Sequence, residues 1–226
     1  MVSVIFDLEG TLVSTIETKA EAIRESRQQT CNKLIELGIP AETLAGIERS
    51  TLMRNKAGEY ARTHLSAVRR LRFERELNQF LLENELRWAE ESTLFPDTIQ
   101  VLRRFRKLGV RMGIVTNTSR QAAETMLAKH GLRDYFDVVV TRDDVARLKP
   151  EPQGIFLVVE RLQDRDTFMI GDMGYDLEAA KKAGIKSIMI KRELPHNLLS
   201  TDSRADYTVR SLAETLEIVS KGDVLR

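Results

Sequence analysis

Four short stretches, far apart in the chain, carry residues that could do chemistry together. They are Asp7-Leu8-Glu9-Gly10-Thr11, Thr116-Asn117-Thr118-Ser119, Lys149-Pro150-Glu151-Pro152 and Gly171-Asp172-Met173-Gly174-Tyr175-Asp176. Asp7 offers a nucleophilic carboxylate, and Glu9, two residues on, offers a second acid able to protonate a leaving oxygen and then activate water. Thr116 and its neighbours offer hydroxyls and amides suited to an anion at a helix start. The residue before a proline is held out of the helical region, so Lys149 lies on an extended segment. Asp172 and Asp176, four apart across a turn entering a helix, can face one point and supply the oxygen ligands that magnesium takes. Taken singly, each stretch has a plain reading as a turn, a cap or a surface lysine. Taken together they suit phosphoryl transfer. Two unit charges 4 Å apart repel by about 4 kcal/mol at an effective dielectric near 20. A carboxylate attacking a phosphoryl group therefore needs a cation, a lysine and fixed donors to cancel that repulsion.

The elements that must position these groups are legible in the pattern. Val2 to Phe6 reads as a strand buried on both faces and ends just before Asp7. From about Glu17 to Glu91 strand character almost vanishes. Thr18 to Leu37 and Ser66 to Glu91 are charged, helix-favouring runs, and Phe73, Leu77, Phe80, Leu81 and Trp88 form an apolar stripe along the second. After Phe95-Pro96-Asp97 the chain alternates helix and strand. Helices are predicted over 98–108, 120–130, 153–162 and 176–183, three of them stopped by Gly109, Gly131 and Gly184. Strands are predicted over 110–115, 137–141, 167–170, 186–190 and 207–209, with a terminal helix from Ser211. Residues 194–206 read as an irregular connection. Such alternation means parallel strands with helical crossovers. The fold class is α/β: a Rossmann-like, doubly wound parallel sheet with an inserted all-helical cap. The core is discontinuous, residues 1–16 and 92–226, and the cap spans 17–91. Ligands in such sheets bind at the carboxyl ends of the strands, near the point where strand order reverses.

Composition narrows the function class. The 226 residues include 35 basic and 34 acidic side chains, a net charge of +1, so no global field favours nucleic acid or an anionic membrane. Cys31 is the only cysteine, which excludes an intrachain disulfide and reads as a small packed hydrophobe. No run of about 18 apolar residues is present, and the first residues lack the pattern of a signal peptide. A cytoplasmic enzyme with a small phosphorylated metabolite as partner is expected.

The four stretches, in this order and strand-end context, resemble the haloacid dehalogenase superfamily, in its helical-capped phosphatase branch. The likeness covers nearly all of the core. It implies that Asp7 is the nucleophile that becomes an aspartyl-phosphate, and that Thr116, with Asn117 beside it, binds the phosphoryl group along with Gly10 and Thr11. It implies that Lys149 is the lysine of the third motif. The cofactor implied is Mg2+, held by Asp7, Asp172, Asp176 and the backbone carbonyl of Glu9. Family phosphatases usually carry aspartate where this chain has Glu9, although enolase-phosphatase members resemble the Asp-x-Glu-Gly-Thr pattern. The metal-free dehalogenases lack an acid there, so Glu9 points to phosphate chemistry, as the general acid and base. Alternatives are a catalytically weak binding relative, or a dehalogenase or phosphonatase on the same scaffold, the last expected to use a cap lysine such as Lys56. For anionic substrate groups the sequence offers Arg24, Arg54, Lys56, Arg62 and His64, and the run Arg69, Arg70, Arg72 and Arg75 reads as solvated. Trp88 and Phe80 are expected in the cap's own core.

Overall fold

The computed structural model describes residues 2–15, 20–164, 166–192 and 205–222, with the backbone alone at 20, 22, 23, 221 and 222. Its main sheet has six parallel strands: β1 (Val2–Phe6), β4 (Arg111–Val115), β5 (Val138–Val140), β6 (Asp166–Gly171), β7 (Lys186–Ile190) and β8 (Tyr207–Val209). They lie in the order β5-β4-β1-β6-β7-β8. The chain leaves β1 for β4 and leaves β6 for β7, on opposite sides, so strand order reverses between β1 and β6.

Both sheet faces are covered, and the alternation of side chains along each strand decides which residues go where. Val2, Val4 and Phe6 of β1 pack with Met112, Ile114, Phe168 and Ile170 against α5 (Thr98–Lys107), α6 (Arg120–Lys129) and α9 (Leu212–Gly222). Ile5 faces the other way, with Val115, Val138, Val140 and Met169, onto α7 (Gln153–Leu162) and α8 (Gly174–Ala183). Ser3, also buried, meets the Thr167 hydroxyl at 2.9 Å, so the polar pair on that face is satisfied. The alternating pattern over 98–209 thus forms the expected sheet, with element ends shifted by a residue or two.

Between β1 and α5 the chain makes the helical excursion that the sequence predicts: α1 (Ala20–Glu36), α2 (Ala41–Leu44), α3 (Ser50–His64) and α4 (Ala67–Glu91). These helices bury their own cluster, including Leu34, Ile39, Leu44, Met53, Ala57, Phe73, Leu77 and Leu81, with Cys31 packed at its edge. A feature not foreseen is the short antiparallel ribbon of β2 (Val13–Ser14) and β3 (Thr93–Leu94), which brings the two ends of the excursion together. Two-residue strands carry no periodic signal, so the pattern could not reveal them. The far end of α4 leaves the helical cluster: Ala89 belongs to the main core and Leu86 packs against it. The apolar stripe of α4 therefore serves two cores in succession. Residues 193–204, most of the predicted irregular connection, lie outside the described residues.

Candidate active site

Asp7 follows β1 directly. Its backbone N–H donates to the carbonyl of Ile170 at 2.9 Å, extending the pairing of β1 and β6 by one step. The next residues close a tight loop, in which Leu12 N and Val13 N both donate to Leu8 O and Gly10 N donates to Val13 O. Gly10 has φ of +81°, and a Cβ added there would lie 2.2 Å from Asp172 Oδ2. Only glycine suits both the left-handed backbone and the approach of the fourth stretch to the first. Gly171 makes room within the fourth stretch itself, since a Cβ there would lie 2.4 Å from the Asp176 side chain. The Thr11 hydroxyl donates to Asp172 Oδ1 at 3.1 Å, which ties the two loops together.

Three carboxylates, Asp7, Asp172 and Asp176, are buried here, each with an oxygen within 4.8 Å of the others. One buried ammonium faces them. Lys149 Nζ donates to Asp7 Oδ1 and to the carbonyl of Val115, each at 2.7 Å, and lies 2.7 Å from Asp176 Oδ1. Burial works against the ammonium, but Asp176 and Asp7 outweigh it and hold the Lys149 pKa above the usual lysine value. Burial pushes the Asp7 carboxyl up, Lys149 pulls it back, and Asp172 adds to the rise. Asp176 is pushed from 3.8 to about 8, by burial first, with Lys149 opposing and Asp7 and Asp172 reinforcing. The cluster holds more acid than base, and protonation is how it relieves the excess when no further cation is present. A divalent cation would relieve the same excess. An all-oxygen, carboxylate-rich donor set suits a hard ion such as Mg2+. Asp176 is also tied to the protein through its Oδ2, which accepts from Met173 N at 3.0 Å.

The remaining predicted residues converge on the same place. Thr116 N donates to Val140 O at 3.0 Å at the end of β4, and Thr118 N donates to Thr116 Oγ1 at 3.2 Å, which leaves the Thr116 hydroxyl proton to donate elsewhere. The Thr118 hydroxyl donates to Glu9 Oε2, which orients the Glu9 carboxylate at the floor of the site. Asn117 differs from expectation in one respect. Its side chain clasps the main chain of Lys149, donating to Lys149 O at 3.2 Å and accepting from Lys149 N at 3.0 Å. Its side-chain amide is therefore occupied with placing the lysine.

A cavity of about 270 Å³ opens over these groups. Its floor holds Asp7, Glu9, Gly10, Thr116 and Asp172, and its roof comes from α1, α3, α4 and the turn before α3. Arg54 lines it, as the sequence allowed, but so do Arg27 and Arg49, which basic-residue counting could not separate from their many solvated equivalents. The other proposed contacts lie elsewhere. Arg24 is exposed, Lys56 and Arg62 line a separate crevice, and His64 stacks on Tyr60 with ring centroids 4.3 Å apart. Lys56 pairs with Glu59 instead, at 3.3 Å. Phe80 packs against the helical cluster and also lines the cavity, whereas Trp88 lines the cavity without joining that cluster.

Several residues beside the site carry no motif. Glu85 of α4 is buried, accepts from Ser119 N at 3.0 Å and pairs with Arg142 at 3.1 Å. Arg192 donates to the carbonyl of Thr11 at 2.8 Å and to Asp97 at 3.1 Å, with its guanidinium 3.7 Å from the centroid of the Phe95 ring. Both roles depend on partners more than 30 residues away, so no local spacing could announce them.

Comparison with known proteins agrees with this geometry. The chain is 29% identical over 224 residues to the pyrophosphatase PpaX of Bacillus mycoides, with 97% of each chain covered. It is similar to the crystal structure of a HAD phosphatase from Thermococcus onnurineus, with a TM-score of 0.60 and 29% identity over 96% of this chain and 97% of that one. The fold is also that of CbbY from Rhodobacter sphaeroides, solved with phosphate, at a TM-score of 0.63 and 21% identity over 96% and 98% of the two chains. The family model for haloacid dehalogenase-like hydrolases matches residues 4–190, a span that takes in all four motifs and the helical excursion, and the chain belongs to that family.

Proposed function

We propose that this protein is a magnesium-dependent phosphohydrolase that acts on a small phosphorylated metabolite through an aspartyl-phosphate on Asp7. The observation that carries this reading is the meeting of Asp7, Lys149, Asp172 and Asp176 under a cavity that also presents Glu9 and Thr116. In it, residues 1–16 and 92–226 are the catalytic core and residues 17–91 are a cap that roofs the cavity. Asp7, Asp172 and Asp176, with the Glu9 carbonyl, would hold Mg2+. When bound, the ion supplies positive charge that offsets the phosphoryl oxygens.

An Asp7 carboxylate oxygen attacks phosphorus and the bond to the leaving oxygen breaks. Glu9, steered by Thr118, gives that oxygen its proton. The Glu9 carboxylate then takes a proton from water as the water oxygen attacks the phosphorus of the acyl-phosphate, releasing phosphate and restoring Asp7. Lys149 neutralises charge beside Asp7. The Thr116 hydroxyl and the main-chain amides of Thr11 and Asn117 hold phosphoryl oxygens, while Gly10, whose N–H is given to Val13 O, shapes the loop that presents them.

The roof supports a view of the substrate. Arg27, Arg49 and Arg54 face a cavity at the small end of ligand sites, which are roughly 300–1,000 Å³. They suit a compact molecule with a second anionic group. Pyrophosphate is a second candidate by this criterion, since its leaving group is itself an anion, and relatives named pyrophosphatase lend it weight. The test is phosphate release from p-nitrophenyl phosphate and from pyrophosphate, each with magnesium, with chelator and with Asp7→Asn. Turnover of at least one substrate is expected, abolished by chelator and lowered on the order of 10⁴-fold or more by Asp7→Asn. Turnover that survives Asp7→Asn would overturn the mechanism. Arg54→Ala is expected to raise KM for pyrophosphate more than for the monoester.

A further inference from the structure

The segment that delivers Lys149 is held by two asparagines from different parts of the molecule. Asn117, from the loop after β4, brackets Lys149 itself, as described above. Asn55, from the middle of α3, brackets the preceding residue in the same manner. Its Nδ2 donates to Leu148 O at 3.0 Å, and its Oδ1 accepts from Leu148 N at 3.0 Å. Leu148 O also accepts from Glu151 N at 2.9 Å, so the bond that depends wholly on Asn55 is the one from Leu148 N. Leu148 is buried, and an amide that loses its partner there has little water to replace it. Two successive residues are thus clamped, one by the sheet loop and one by the helical excursion, and the side chain of the second ends between Asp7 and Asp176.

We infer that Asn55 is a positioning residue for the reaction, through which docking of the helical excursion fixes the main chain that aims Lys149. The inference rests on the role given to Lys149 under the proposed function. Asn55 is absent from the cavity lining, so it acts through the main chain it holds at Leu148, next to Lys149, and not by contact with the substrate. The excursion touches the core at a second polar contact, where Arg142 Nη1 donates to Asn78 Oδ1 at 2.7 Å. That contact lies away from the lysine segment and separates docking in general from aiming in particular.

The experiment compares Asn55→Ala, Asn55→Asp and Asn78→Ala with the unaltered protein. It uses kcat and KM on p-nitrophenyl phosphate with magnesium, beside amide hydrogen exchange over residues 147–151. Asn55→Ala is expected to lower kcat about tenfold with KM within about twofold, since a small misplacement of a charge-stabilising group costs rate more than binding. It should also speed exchange at the Lys149 amide about tenfold, although Asn117 is untouched. Asn55→Asp keeps the size of the side chain and the acceptor for Leu148 N, and its kcat should fall between the two. Asn78→Ala should leave both kcat and Lys149 exchange within about twofold. Equal losses in Asn55→Ala and Asn78→Ala would reduce Asn55 to a general docking contact and overturn the inference, as would unchanged kcat and exchange in Asn55→Ala. Absence of magnesium-dependent turnover in the unaltered protein would sink the functional reading instead, and the exchange comparison would still decide whether Asn55 governs the Lys149 segment.

Discussion

The protein buries two groups of charges that look alike in a contact list and differ in kind. One is the pair Glu85 and Arg142, which joins α4 to the turn after β5 at 3.1 Å. The other is Lys149 with Asp7, Asp172 and Asp176. The pair is balanced where it is buried: one guanidinium and one carboxylate, with Asn78 and the Ser119 amide completing the hydrogen bonds and the exposed Asp143 touching the guanidinium from the solvent side at 3.2 Å. The cluster is unbalanced, with three acids against one ammonium, and two of those acids are driven above their ordinary pKa. A balanced buried pair needs nothing more and serves packing geometry. An unbalanced one is relieved by protons or by added positive charge, and that is the place given to Mg2+ in the proposed function.

That contrast can be broken at several points. The largest effect is expected from Lys149→Met, which should lower turnover roughly 10³-fold by removing charge stabilisation beside the nucleophile. Adding Asp176→Asn to it should recover stability, read by thermal melting, without recovering turnover. Recovery of turnover would show the cluster to be structural after all. Next comes the balanced pair. Arg142→Met should cost about 3–5 kcal/mol, seen in denaturant unfolding, because it strands the Glu85 carboxylate. The double change Arg142→Met with Glu85→Leu should return most of that. A double variant as unstable as the single would mean that the pair does more than pack. Glu9→Gln is expected to lower kcat on the order of 10²-fold for alkyl phosphates and clearly less for p-nitrophenyl phosphate, whose leaving oxygen needs little proton assistance. Equal losses on both would remove Glu9 from the acid role.

The smallest effect is on stability against pH. Asp176 is raised from 3.8 to about 8, and Asp7 is raised as well. Between those values the folded protein binds more protons than the unfolded chain, so stability falls as pH rises and levels off near pH 8. Lys149 stays charged throughout this range. With chelator present, melting temperature should therefore drop by several °C, order of magnitude, from pH 5 to pH 8. Magnesium should offset the drop most at the upper end. A flat profile in chelator would mean that the acids are relieved within the protein.

Much of this was legible beforehand, for identifiable reasons. Asp7, Lys149, Asp172 and Asp176 follow or closely trail strands whose buried apolar runs are short, uninterrupted and bounded by glycine or proline. Their position at strand ends could be read locally, and the family resemblance ordered them. The helical excursion showed itself as a long stretch without strand character. What was not legible has long-range causes. Nothing near Asn117 says that its amide is taken up by Lys149, and nothing near Arg27 or Arg49 distinguishes them from the exposed basic residues around them. Trp88 shares the periodicity of Leu77 and Leu81, yet it turns to the cavity because α4 passes from one core to the other along its length.

The elements, the parallel sheet and the strand-end residues that meet below the cavity could be read from the chain, because hydrophobic period, turn residues and motif spacing act over a few neighbours. Only the tertiary structure decided which charges are balanced, which arginines overlook the cavity and which asparagine steadies the lysine. Those outcomes depend on distance and burial between residues separated by tens of positions, and burial is what turns an ordinary carboxylate into one that must share a proton or a cation.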